Sequence, residues 1–296
     1  MNKIDLHMHS IYSIDGEYTP KQLVKMCAQK SVKVMALTDH NSIKGVAEAK
    51  EYAEESGIHC IPAIELDCTF ESATLHVLGY GINTEFEDFN QIEQDILKQE
   101  QVASIKRIEL VKKLGIVFDT NEAIKLSKDG YISGEMIAEV ALKHEENRNH
   151  LLMTPYYEGG DRCDNPYVNF YWDICSQGKA AYVPVEYITL KKAIETIKAA
   201  GGVSVLAHPG NNVREDKEFL ERIIKEGIDG IEVYSSYHTP NQMAFYKEQV
   251  EKYSLLQTVG SDFHGKTKPA IEIDSVQCNS QGEKIYHSLM EKINSI

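Results

Sequence analysis

The sequence is short of positive charge: 31 lysines and arginines stand against 45 aspartates and glutamates, for a net charge of −14. Capture of a long polyanion or of an anionic membrane needs basic surface that releases counterions, so neither long nucleic acid nor a membrane is an expected partner. A small anionic ligand remains compatible, provided that positive charge is supplied locally. The six cysteines are scattered and include no CxxC pair, the pattern of reduced thiols and not of a disulfide or thiolate-metal framework. No run of 18 apolar residues occurs, and the first residues show neither the basic nor the apolar region of a signal peptide. A cytoplasmic chain is therefore expected. Internal repeats and low-complexity tracts are also missing.

What the chain does have is an alternation of apolar runs and amphipathic helices, with 42% hydrophobic residues over 296 positions. "KIDLHMH", "VKVMALTDH", "HCIPAIELDCTF" and "TLHVLGYGI" read as four strands. Thr19 and Pro20 open a helix after the first, and Gly57 closes one after the second. The rhythm returns with "VSVLAHPG", "GIEVYSS" and "LLQTVGSDFHG", each preceded by a helix. Seven strands, most of them separated by helices, imply a parallel β/α barrel or a doubly wound sheet. In both, the functional face lies at the strand carboxyl ends. Between residues 85 and 183 the pattern breaks into helical pieces, which divides the chain into a barrel, 1–84 and 184–296, and a helical insertion.

Histidines and carboxylates fall on those strand ends. His7 and His9 alternate on the first strand and so share a face; Asp15 follows in the next loop. His40 ends the second strand and Glu65 the third region "AIEL"; His76 is on the fourth strand and His208 ends "LAHPG". Asp262 and His264 end the last strand. One histidine at a strand end is ordinarily core or surface, but these are six of the chain's 11 histidines. Imidazole with carboxylate suits Zn²⁺, Mn²⁺ or Fe²⁺, and nine ligands exceed what one ion needs. Two or three divalent ions fit, and they would supply the missing positive charge.

In order, "DLHMHS", "TDH", "IEL", "HVLGY", "AHPG", "IEVYSS" and "GSDFHG" resemble the motifs of the polymerase and histidinol phosphatase (PHP) family of metal-dependent phosphoesterases. The resemblance covers roughly residues 1–82 and 184–276. It implies an α/β fold, a distorted (β/α)7 barrel, and hydrolysis of a small phosphate ester, nucleotide-like or a sugar phosphate, by a hydroxide bridging two ions. It also implies three ion sites: His7, His9, Glu65 and Asp262; Glu65 as a bridge with His76 and His208; and Asp15, His40 and His264. The layout is similar to that of stand-alone members such as nucleoside 3′,5′-bisphosphate phosphatases, which carry a helical insertion at the same position; in this chain residues 85–183 are expected to form a substrate-selecting lid or cap. Two stretches depart from that pattern: "SIDG" is one residue longer than the usual "SDG", and Ser133 to Glu135 stand where an Arg-Pro-His element is usual.

Asp39, His238 and Asp262 are the candidates for passing a proton to the leaving group, with orientation of a ligand histidine as the other reading of Asp39. Asn211, Arg214, Arg148 and Arg162 are candidate phosphate contacts. The aromatics Tyr156, Tyr157, Tyr167, Phe170, Tyr171 and Trp172 read as core of the insertion before they read as a stacking surface. Rival functions are a histidinol-phosphate phosphatase with the same metals, a polymerase-associated exonuclease module, for which the chain has neither polymerase region nor basic groove, and a non-catalytic metal-stabilised binding module.

Overall fold

A computed structural model describes residues 3–127, 129–278 and 281–296. The chain forms two compact units: the first contains residues 1–92, 187–264 and 271–296, the second residues 93–186 and 265–270.

The first unit is built on a sheet of eight strands: β1 (Lys3–Asp5), β2 (Val32–Leu37), β3 (His59–Phe70), β4 (Ala73–Tyr80), β5 (Ile188–Thr189), β6 (Val203–Leu206), β7 (Gly230–Ser235) and β8 (Leu256–Gly260). Seven of them run in the order β1-β2-β3-β4-β6-β7-β8, and the two-residue β5 pairs with β3. The ring nearly closes, because the Leu6 N–H donates to the Val259 carbonyl at 3.1 Å and Met8 bridges Phe263. Gly260 permits that closure, since a Cβ there would lie 2.2 Å from the His7 Cβ. The strands β6 and β7 are buried at every residue, the near-continuous apolar pattern of strands covered on both faces.

One strand departs from the parallel pattern expected. β4 runs antiparallel to both β3 and β6. Glu71 and Ser72 link β3 to β4, too short a connection for the crossover that a parallel strand requires. Glu71 takes φ 55° to make the turn. His76 is consequently brought to the functional face from the early part of its strand, directly opposite Asp67 of β3.

Helices α1 (Pro20–Gln29) and α2 (Val46–Glu55) cover the first strands. α1 starts on a capping box, in which the Gln22 N–H donates to Thr19 Oγ1 and the Thr19 N–H to Gln22 Oε1. Its apolar face packs Leu23, Val24 and Cys27 against Met8, Met35 and Phe263, burial worth roughly 1.5–3 kcal/mol per large side chain.

In the second unit α3 (Glu87–Lys113) enters from the first, followed by α4 (Thr120–Leu126), α5 (Gly134–Ala141) and α6 (Pro166–Phe170). Its core includes Tyr156 and Phe170, with Tyr157, Tyr167 and Tyr171 packed against it. Trp172 is exposed. The first unit resumes with α7 (Leu190–Ala199), α8 (Pro209–Asn212), α9 (Lys217–Lys225), α10 (Pro240–Tyr253) and α11 (Gly282–Ile293). All six cysteines carry free thiols. Among the described residues, no helix is long and apolar enough to cross a membrane.

Candidate metal centre

At one end of the barrel, Glu65 is fully buried and surrounded by imidazoles. Its Oε1 lies 3.1 Å from His76 Nδ1 and 3.2 Å from His208 Nε2; its Oε2 lies 3.2 Å from His7 Nε2, 3.2 Å from His9 Nε2 and 3.3 Å from His40 Nδ1. Asp262 Oδ1 is 3.1 Å from His7 Nε2 and 3.0 Å from His9 Nε2, and Asp15 Oδ2 is 3.2 Å from His264 Nε2. All nine residues singled out from the strand ends therefore stand in one cluster. They form overlapping groups with metal-ligand spacing: His7, His9, Glu65, Asp262; Glu65, His76, His208; and His9, Asp15, His40, His264. A fourth group, His40, Asp67 and His76, contains a carboxylate that sequence reasoning passed over.

The backbone is bent to achieve this. His208 has φ 25° and Asp262 φ 57°, in the left-handed region that side chains other than glycine rarely adopt. Each is pinned by a hydrogen bond: the His208 N–H donates to Glu232 Oε2 at 2.8 Å, and the Asp262 N–H to the His7 carbonyl at 2.8 Å. Asp15 is delivered by a loop that folds back at Gly16, where a Cβ would collide with the Ser10 carbonyl oxygen.

Neighbouring acceptors settle which imidazole nitrogen faces the cluster. His7 Nδ1 meets Glu232 Oε1 at 3.0 Å, and His264 Nδ1 meets the Asp262 carbonyl at 2.8 Å. A carboxylate and a carbonyl oxygen accept, so each Nδ1 is the donor and each Nε2 is the nitrogen turned to the cluster. His9 follows by one more step. The Ser13 hydroxyl donates to Asp39 Oδ1, so Ser13 Oγ accepts from His9 Nδ1–H at 2.8 Å and from the His40 N–H. Fixing the tautomer of a ligand histidine in this way raises its basicity toward a cation.

Charge in the cluster is strongly coupled. Burial opposes a charge on His7, but Glu65, Glu232 and Asp262 outweigh it and hold that imidazole well above its ordinary range. Burial likewise opposes charging His40, yet Glu65 and Asp67 carry it up to about 10. His9 goes the other way, down to about 4, because burial is joined by His264 and His40. Burial would raise Glu65, but His7, His40 and His76 keep it well below the carboxylate norm. The raised positions of His7, His40 and His76 reflect the negative field of these carboxylates, the field that a cation would meet.

A divalent metal fits this donor set. Glu65 Oε2, Asp67 Oδ1, His40 Nδ1 and His208 Nδ1 are buried and make no hydrogen bond, a state that is costly unless a cation takes the lone pairs. Mixed imidazole and carboxylate donors are those of Zn²⁺, Mn²⁺ and Fe²⁺.

The proton-donor candidates differ in their surroundings. Asp39 is consumed by three bonds, from the Ser10 N–H at 2.6 Å, Ser10 Oγ at 2.7 Å and Ser13 Oγ at 3.0 Å. Its place is behind Ser13, orienting His9. Burial pushes it up to about 6 against those bonds. His238 has both nitrogens engaged, Nδ1–H donating to the Val233 carbonyl and Nε2 accepting from the Gly210 N–H. It is a buried brace stacked on Tyr246 and has no free proton to give. Asp262 is the candidate that remains in the cluster. The neighbour of His238 is the residue that reaches it: Tyr237 donates its hydroxyl to Asp262 Oδ2 at 2.6 Å and sets its ring edge against His208.

Of the candidate phosphate contacts, Asn211 follows His208 in α8, its N–H donating to the His208 carbonyl. Arg214 is exposed, at φ 58°. Arg148 pairs with Glu145 and lies over the Tyr157 ring, and Arg162 makes a two-pronged bond to Asp173. Both belong to the second unit, where those partners already occupy them.

A buried cluster of histidines and carboxylates at the mouth of a β/α barrel suits the binding of divalent metal. The PHP domain family matches residues 5–259, and the chain belongs to that family of metal-dependent phosphoesterases. It is 29% identical to a 3′,5′-nucleoside bisphosphate phosphatase from Chromobacterium violaceum, covering 89% of this chain and 88% of that one. A phosphoribosyl 1,2-cyclic phosphate 1,2-diphosphodiesterase from Eggerthella lenta is 27% identical over 88% of this chain and 94% of its own length. A 5′-3′ exoribonuclease from Haemophilus influenzae is also 27% identical, with 88% and 90% covered. Among solved structures, a protein from Bifidobacterium adolescentis described as a metal-dependent phosphoesterase superposes with a TM-score of 0.77 at 25% identity, over 98% of this chain and 96% of the other.

Proposed function

We propose that this phosphoesterase acts on a small phosphorylated ribose compound, a nucleoside bisphosphate or a close analogue, with two to three divalent ions held by the nine strand-end residues. The observation that carries the reading is Glu65, whose two oxygens face different histidine groups, as a carboxylate shared between ions would. Ions there would lower the pKa of water toward about 7, giving a hydroxide nucleophile at neutral pH, and would draw off charge from the phosphoryl oxygens. The chain's own residues do the rest. Glu232, Ser13 and the Asp262 carbonyl hold His7, His9 and His264 in the ligand tautomer. Asp262, gripped through Oδ2 by the Tyr237 hydroxyl, would take up the proton lost by the nucleophilic water and pass it on to the departing alkoxide.

The substrate class rests on what the relatives' names share. A nucleoside 3′,5′-bisphosphate, a phosphoribosyl cyclic phosphate and RNA are all phosphate esters of ribose. The net charge of −14 favours the small members of that set over a polymer. The exoribonucleases among the relatives keep a second reading in play, removal of nucleotides from the 5′ end of a short RNA. Phosphate release from adenosine 3′,5′-bisphosphate in Mn²⁺, compared with shortening of a 5′-phosphorylated oligoribonucleotide, separates them. The bisphosphate should have the higher kcat/KM. Efficient stepwise digestion of the oligonucleotide with little phosphate release from the bisphosphate would overturn the small-substrate reading.

A further inference from the structure

Asp67 lies two residues beyond Glu65 on β3, so the two carboxylates leave the strand on the same face. Its Oδ1 is 3.3 Å from His40 Nδ1 and 3.3 Å from His76 Nε2. The other oxygen, Oδ2, accepts from Asn41 Nδ2 at 2.7 Å, while the Asp67 N–H donates to Asn41 Oδ1 at 3.0 Å. Asn41 itself sits at φ 55°, its N–H tied to the Glu65 carbonyl at 2.7 Å. A strained residue thus clamps Asp67 from one side and leaves Oδ1 turned to two imidazoles. Oδ1 and His40 Nδ1 are both buried and face each other at 3.3 Å, with no closer hydrogen-bond partner for either.

From this geometry we infer that Asp67 is itself a metal ligand, and that His40, Asp67 and His76 hold a divalent cation at the outer edge of the cluster. The inference rests on the metal-centre reading above and adds a position to it. Ligand-to-ligand spacings of 3.3 Å suit bonds of about 2.1 Å to a transition metal. The two-nitrogen, one-oxygen donor set selects Zn²⁺, Mn²⁺ or Fe²⁺ over Mg²⁺ or Ca²⁺. His76 turns Nδ1 to Glu65 and Nε2 to Asp67, so filling both positions at once would take it to the imidazolate, its last N–H proton being released to solvent. The side chains of His40, Asp67 and His76 are 14%, 13% and 19% exposed, whereas those of His7, His9 and Glu65 are fully buried. This is therefore the position that solvent and chelator reach first, and its ion is the exchangeable one.

Equilibrium dialysis against graded Mn²⁺ or Zn²⁺, with metal counted by elemental analysis, tests the assignment in wild type, Asp67→Asn and Asn41→Gly. Wild type should show a weaker, chelator-accessible class of bound ion. Asp67→Asn should lack that class and saturate one ion lower, with the tighter sites unchanged. Asn41→Gly, which relieves the backbone and removes the clamp, should keep the class but weaken it by about 10-fold or more. An Asp67→Asn protein that saturates at the wild-type stoichiometry overturns the assignment, whether its affinities are unchanged or uniformly lowered; the latter would make Asp67 an orienting partner of His76. Phosphate release from an aryl phosphate, measured on the same samples, keeps the two readings apart: an inactive wild type that still binds the extra ion speaks against hydrolysis and not against the ligand.

Discussion

Glu232→Gln is a near-isosteric change that sets two buried donors against each other. Glu232 is fully buried, and each of its oxygens serves one donor. Oε1 accepts from His7 Nδ1–H at 3.0 Å, and Oε2 accepts from the His208 N–H at 2.8 Å. Glutamine keeps one acceptor and turns an NH₂ toward the other donor. If the amide nitrogen faces His208, the backbone at φ 25° loses the bond that holds it; if it faces His7, the ring loses its reason to keep Nε2 free. Leaving a buried donor unmet costs about 1–3 kcal/mol of folding stability. Disturbing a partner that orients a ligand histidine lowers metal affinity or activity by roughly 10–100-fold, equivalent to about 1.4–2.8 kcal/mol. Competition with a fluorescent chelator measures the metal loss, and thermal unfolding in excess chelator measures the metal-free stability separately. Wild-type metal affinity and kcat in Glu232→Gln would refute the argument that Glu232 sets the His7 tautomer.

Tyr237→Phe keeps the ring on His208 but removes the bond to Asp262 Oδ2; kcat should fall by roughly 10-fold or more, the value of a hydrogen bond to a charged acceptor, with KM little changed, and an unaltered kcat would remove Tyr237 from the mechanism. Metal uptake should be proton-coupled: His40, raised to about 10, carries a proton at neutral pH that an ion must displace. Apparent affinity should therefore rise with pH through neutrality, and titration calorimetry in two buffers of different ionisation enthalpy should report net proton release. Equal heats in both buffers would contradict the sign.

Much of this site was legible because strand ends concentrate chemistry: His7, His9, His40, Glu65, His208, Asp262 and His264 follow apolar runs that name their own strands. The direction of β4 was harder to read, since an apolar run looks the same in either orientation; the short Glu71–Ser72 link was the available signal. Residues that work through others left fainter marks. Glu232 is an acid inside the fully buried strand "GIEVYS", an expensive placement that points to a partner, yet it does not say which one. Asp67 shares the face of Glu65 by simple alternation and could have been counted with it. His238 drew attention as a histidine beside a strand end, whereas its pairing with Gly210 and Val233, and the reach of Tyr237, depend on how the turn after β7 folds.

The seam between β1 and β8 has a consequence for biosynthesis. His7 and His9 leave the ribosome long before Asp262 and His264, yet His7 and His9 meet Asp262 across that seam at 3.0 to 3.1 Å. Such sequence-distant contacts are slow to form, and until they form, the early histidines can bind ions only as an open, exchangeable chelator. Mature metal loading is therefore expected to follow the emergence of Asp262, so that the inventory of captured ions becomes a readout of whether synthesis ran past that residue.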